Sequence, residues 1–143
     1  MPRREAYNYE REISMKIKLS LMFTISAIAM FLIGLGLTVM TSLMLGMLGL
    51  DANSASIHFA KAGGSALIGV AVMTWLARNA SSSDARNALT LGLTLLFLLE
   101  TIEYLRGIFM GSLGSIAWIA AGMWLLLFVF MFMAGRSTMA EEK

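Results

Sequence analysis

Three ionisable residues, Glu100, Glu103 and Arg106, lie in an otherwise apolar segment, residues 89–107, that is long enough to cross a bilayer. At about 1.5 Å of rise per residue, a helical Glu100 would lie roughly 10 Å deeper in the membrane than residue 107. Ionisable groups at such depth are costly, so they normally face a protein interior or a water-filled cavity. These residues are therefore the first candidates for a functional site.

Two residues on another predicted span could complete this polar cluster. The i, i+3 spacing lets Arg106 pair with Glu103, whereas Glu100 has no obvious partner on its own helix. His58 and Lys61 are predicted to lie in the same half of the membrane and could reach Glu100 if the two spans are adjacent. The candidate intramembrane polar cluster is therefore Glu100, Glu103, Arg106, Lys61 and His58.

Three interpretations of this cluster are open. It could be a structural network in which opposite charges cancel and fix the register of the helices. It could be a proton or ion relay in which a desolvated Glu100 loads and releases protons. It could also form a pocket for the headgroup of a lipid, quinone or pigment, with His58 as axial ligand or hydrogen-bond donor. The sequence requires none of these cofactors.

The composition is typical of a membrane protein and excludes several classes of function. Only 14% of the 143 residues are charged, against about 25% in an average soluble domain. The absence of Cys excludes disulfides and cysteine nucleophiles, and a single His excludes a multi-histidine metal site within one chain. Basic residues lie at the membrane borders rather than on one face, so nucleic-acid binding is not expected. No soluble domain is predicted that could form a substrate cleft, so a non-enzymatic protein is expected.

The hydrophobic segments predict an all-α fold, an integral membrane four-helix bundle. The four spans are expected at about residues 19–45, 58–77, 87–110 and 115–134, between an N-terminal tail of residues 1–18 and a C-terminal tail of residues 135–143. The first apolar run is nearly twice as long as that of a signal peptide, so an uncleaved helix is predicted. Translation could start at Met1 or at Met15.

Small residues predict where the helices pack against each other. Four of them in the second span recur at i, i+3, i+4 and i+7 and so form one helix face, and small faces let membrane helices approach closely. The residues predicted to make helix contacts are Ala62, Ser65, Ala66 and Gly69 on this face, together with Gly34 and Gly36 of the first span.

The distribution of basic residues predicts the orientation. Nine Lys and Arg residues lie in the two tails and the second loop, and only Lys61 and Arg106 lie on the opposite side. Because cytoplasmic segments carry an excess of Lys and Arg, both termini are predicted to be cytoplasmic. The expected location is the bacterial cytoplasmic membrane.

Two adjoining segments, FAKAGGSALIGVAVMTWLAR and SSSDARNALTLGL, resemble small four-span bacterial membrane proteins of about this length. The resemblance covers roughly residues 16–135 and implies the same four-span architecture. It brings no established activity, and Glu100 and Glu103 are not part of the shared pattern.

These observations together favour an accessory or assembly subunit of a larger bacterial membrane complex. Its expected partners are membrane lipids and either other membrane subunits or further copies of itself, because small-residue faces and Met side chains suit packing between helices. The alternatives are a small proton-coupled transporter or channel that uses Glu100, and a subunit that binds a lipid, quinone or pigment headgroup.

The orientation gives a first testable prediction. Reporter fusions placed after Arg78 and after Arg136 should both report a cytoplasmic location, because both sites lie on the basic side of the membrane. A periplasmic signal from either fusion would contradict the predicted topology.

Overall fold

The computed structural model describes the backbone of residues 3–81 and 83–139, and the side chains of residues 19–81 and 83–136. Over these residues the chain is all-helical, with five helices and no strand. The helices are α1 (Arg3–Val39), α2 (Thr41–Met47), α3 (Ser54–Ala77), α4 (Asp84–Phe109) and α5 (Ala117–Met139). The prediction of an all-helical membrane protein with four candidate spans is confirmed, since four of the helices are long and apolar enough to cross a membrane.

The first predicted span, residues 19–45, is wrong at its C-terminal end. The long helix α1 ends at Val39, and the short helix α2 follows after Met40, whose φ and ψ of −115° and 38° are not helical. Hydroxyl groups on both sides of this break donate to carbonyls of α1: Thr38 Oγ1 donates to the Gly34 carbonyl at 2.7 Å, and Thr41 Oγ1, at the start of α2, donates across the break to the Leu37 carbonyl at 2.6 Å. Such bonds bend helices, and sequence hydropathy does not report them.

The predicted tails are helical where the structure describes them. Helix α1 begins at Arg3, so residues 3–18 continue into the first span without a break, and α5 extends past the predicted boundary at residue 135 to Met139. The remaining spans begin close to the predicted residues. Asn53 caps α3 by accepting hydrogen bonds from the amides of Ala55 and Ser56.

The long helices form two pairs. Helix α3 packs along α1, α5 packs along α4, and α1 and α5 join the two pairs. Helices α3 and α4 share no extended contact in the described part of the chain. Helix α2 lies against α1 and α3 at the end where Gly114 N donates a hydrogen bond to the Leu48 carbonyl at 2.8 Å. The two pairs are therefore connected through α1 and α5 and through this loop contact.

A close approach of two backbones joins α1 to α3 at Gly34 and Gly64. A Cβ atom on Gly64 would lie 2.7 Å from the Gly34 carbonyl oxygen and 2.6 Å from Thr38 Oγ1, and a Cβ atom on Gly34 would lie 2.6 Å from the Gly64 carbonyl oxygen. Only glycine allows two helix backbones to come this close. Because close contacts of this kind drive helix association in lipid, this crossing fixes α3 against α1.

One apolar core connects all four spans. It is dominated by large side chains, and Phe97 packs on Trp124 with ring centroids 5.6 Å apart. The core residues are Leu19, Phe23, Met30, Ala71, Leu93, Phe97, Trp124, Leu127, Met131 and Ala134. Most of each span nevertheless faces outward with large apolar side chains, as expected for a chain surrounded by lipid.

The glycine crossing gives a second prediction, with a neighbouring residue as its control. Gly64→Ala should destabilise the protein by about 1–3 kcal/mol, because the added methyl group overlaps the backbone of α1. Gly63→Ala should be neutral or stabilise by up to about 1 kcal/mol, because its Cβ would meet no atom within 4 Å. Thermal unfolding in detergent measures both variants, and equal unfolding temperatures would contradict the crossing.

Candidate functional site

The outermost part of the predicted polar cluster is an exposed ion pair on α4. Arg106 Nη1 lies 3.5 Å from Glu103 Oε1, and the two side chains are 61% and 67% exposed. Among the described residues, the structure shows this one ion pair within the cluster. An exposed pair of this kind contributes between zero and about 1 kcal/mol to the free energy of unfolding, so by itself it stabilises the protein little.

Glu100 lies one turn deeper on α4 and is partly buried. Tyr104 follows at i+4 on the same face of α4, and it lines a cavity together with Trp124 of α5. Arg106 pairs with Glu103 rather than with Glu100. Glu100 is thus a partly buried carboxylate on the α4 face that carries Tyr104, and no cation among the described residues forms an ion pair with it.

The predicted contribution of α3 to this cluster is wrong within a single chain. Both His58 and Lys61 are exposed, and α3 packs on α1 and has no extended contact with α4. His58 instead makes an edge contact with the ring of Phe59, with centroids 6.1 Å apart. The glycine crossing directs α3 toward α1, so adjacency of the second and third spans, on which the prediction depended, does not occur.

The predicted small-residue face of α3 makes no contact within the described part of the bundle. Its four members, Ala62, Ser65, Ala66 and Gly69, are all exposed, and a Cβ on Gly69 would meet no atom within 4 Å. The contact with α1 is made through Gly64 instead, which the sequence pattern did not select. Gly34 lies at that contact, and Gly36 faces the Met44 side chain of α2. A small residue can lie on either side of a helix without changing the hydropathy, so the sequence does not distinguish the two faces.

A small apolar cavity lies beside Tyr104 and Trp124. Its volume is about 200 Å³, and its lining comes from α1, α2, α4 and α5. No member of the polar cluster lines it. Among the described residues, no three His, Asp or Glu side chains come together in a group that could hold a metal ion. The cluster is therefore a set of separate polar positions, with Glu100 as its only partly buried member.

Sequence reasoning missed Arg86, which it treated as a mark of orientation only. The side chain is 6% exposed, and its guanidinium carbon lies 5.7 Å from the centroid of the Phe23 ring on α1. A usable signal was present in the spacing: Arg86 begins the series of buried positions on α4, and the others are Thr90, Leu93, Phe97 and Thr101. This series follows the helical repeat, so it places Arg86 on the face that packs inward.

Comparison with known proteins yields no family model, no curated protein and no solved structure that matches the chain.

Proposed function

We propose that this protein is a non-enzymatic accessory or assembly subunit of a larger complex in the bacterial cytoplasmic membrane, with both termini in the cytoplasm. The observation that carries the proposal is the outward small-residue face of α3, formed by Ala62, Ser65, Ala66 and Gly69. The chain leaves this face uncovered, although small residues are what membrane helices use at close contacts.

Lipid alone gives little reason for such a face. Helices associate in a bilayer through van der Waals packing, and a flat strip without long side chains lets a second helix come closer than acyl chains pack. The surrounding surface has the opposite character, with large side chains such as Phe59, Val72 and Leu76 exposed on the same helix. A helix of another subunit is therefore a better occupant of the strip than lipid.

The charged residues at the flanks favour a partner as well. Lys61 is exposed at one end of the strip on α3, and Glu100 and Glu103 lie on α4. Charges within a span are costly unless they find an opposite charge, water or the interface. A neighbouring subunit that carries a carboxylate opposite Lys61, or a base opposite Glu100, would satisfy both requirements at once.

The test is a matched pair of enlargements at glycines. Gly69 and Gly92 are both exposed on membrane helices, and a Cβ atom added at either position would meet no atom within 4 Å. Both Gly69→Leu and Gly92→Leu should therefore fold, but only Gly69→Leu should lose the stoichiometric complex seen by native mass spectrometry after gentle extraction. A complex that survives Gly69→Leu unchanged would contradict the proposal, and a self-assembled complex would make the partner a second copy.

A small proton-coupled transporter or channel is the second candidate, and Glu100 is the observation that favours it. A partly buried carboxylate within a span, on the helix face that carries Tyr104 and without an ion pair to a described residue, is suited to bind and release a proton. In this case the protein would act alone, without the partner that the first proposal requires.

The two candidates predict different behaviour of Glu100→Gln. A relay loses pH-dependent proton uptake in liposomes because an amide does not titrate, whereas an accessory subunit keeps its folded yield and its complex. Glu103→Gln is the control, because Glu103 is exposed and paired with Arg106. Liposomes of the parent protein that show no proton uptake would end the transporter hypothesis.

A further inference from the structure

The buried Arg86 is an unusual feature of this bundle. Its side chain is 6% exposed, and Nε is buried without a hydrogen-bond partner among the described residues. Placing a guanidinium in a low-dielectric interior is costly unless an anion compensates it. Asp84 lies two residues away but is exposed, and no ion pair with Arg86 is formed by a described carboxylate.

Arg86 lines a cavity at the membrane face where α3 ends and α4 begins. The cavity has a volume of about 580 Å³ and also receives the side chain of Arg78. The described residues that line it include two arginines and no carboxylate: Ser20, Leu21, Thr24, Arg78, Asn79, Ala80, Ser81 and Arg86. Two guanidinium groups with hydroxyl and amide groups around them are the donor set that binds a phosphate oxyanion.

A separate apolar groove lies further along the seam between α1 and α3. The groove has a volume of about 310 Å³, and its seven lining residues are uncharged: Ala27, Ile28, Phe31, Leu32, Ala71, Val72 and Trp75. The two spaces share no described lining residue and lie about one helical turn apart, because Thr24 precedes Ile28 on α1 and Arg78 follows Trp75 on α3. The Arg78 guanidinium carbon lies 3.8 Å from the centroid of the Trp75 ring, between the two spaces.

We propose that this composite site binds an anionic glycerophospholipid, with its phosphate at Arg86 and Arg78 and an acyl chain in the groove toward Phe31. Arg78 donates one N–H to the Trp75 carbonyl at 2.8 Å, which holds its guanidinium between the two spaces and leaves other N–H groups for the phosphate. Basic pockets between membrane helices on the cytoplasmic side are suited to anionic headgroups. A free phosphate would satisfy Arg86 but would leave the apolar groove unfilled, so the lipid fits the whole site.

The first experiment tests whether the site prefers an anionic headgroup. The delipidated protein in detergent is titrated with phosphatidylglycerol and with phosphatidylcholine, and binding is measured by native mass spectrometry. The parent should bind phosphatidylglycerol at one site about tenfold more tightly than phosphatidylcholine, and Arg86→Gln should remove most of that preference. Arg78→Gln, at a more exposed position, should weaken binding in the same direction and keeps the test valid if Arg86→Gln folds poorly. Arg136→Gln is the matched control, because this exposed arginine packs on Phe132 of α5 and does not line the cavity.

A second arm separates lipid from free phosphate. Glycerol phosphate at the same concentration should not displace phosphatidylglycerol, and Val72→Trp should weaken lipid binding by filling the groove. Val129→Trp, an enlargement at an exposed position of α5, should have no effect. The site would be overturned if the parent bound the two lipids equally. It would also be overturned if the Arg78→Gln and Arg86→Gln variants each bound phosphatidylglycerol as tightly as Arg136→Gln does. Displacement by glycerol phosphate would overturn its assignment to a lipid.

Discussion

The contact between α1 and α3 at Gly34 and Gly64 is the constraint on which the rest of the bundle depends. Two backbones meet at a distance that no side chain would permit, and Thr38 fills the space beside them by bonding back to the Gly34 carbonyl. Lipid offers no hydrophobic driving force between helices, so close packing of this kind must supply the association energy. Once α3 is committed to α1, it is not available to pair with α4.

That commitment decides what each helix presents outward. The small-residue face of α3 that begins at Ala62 points away from the bundle. The seam between α1 and α3 forms an apolar groove that is lined in part by Trp75. The buried hydroxyl groups of Thr90 and Thr101 do not resist this arrangement, because they bond to carbonyls of their own helix. The core therefore needs no polar contact between helices, and apolar shape sets the register.

Charge is distributed unequally between the two ends of the bundle. At one end Glu100 and Glu103 lie on α4 and Lys61 lies on α3, and these helices share no extended contact in the described part of the chain, so their polar positions remain separate. At the other end Arg78 and Arg86 line one cavity, and an apolar groove lies about one helical turn away along α1 and α3. The proposals for a protein partner and for an anionic lipid follow from these two ends separately, so each can fail without the other.

The sequence alone determined the membrane class, the all-helical fold and the number of candidate spans, because span length and hydropathy are local properties of the chain. It also identified Gly34 as a residue of close approach and Glu100 as a deep ionisable group. Only the tertiary structure decided which helices are neighbours, and for this reason it moved the packing role from Gly69 to Gly64 and separated Lys61 from Glu100. The same holds for Arg86. Hydropathy indicates only a basic residue near a membrane border, whereas the burial of its side chain depends on the position of Phe23 on another helix.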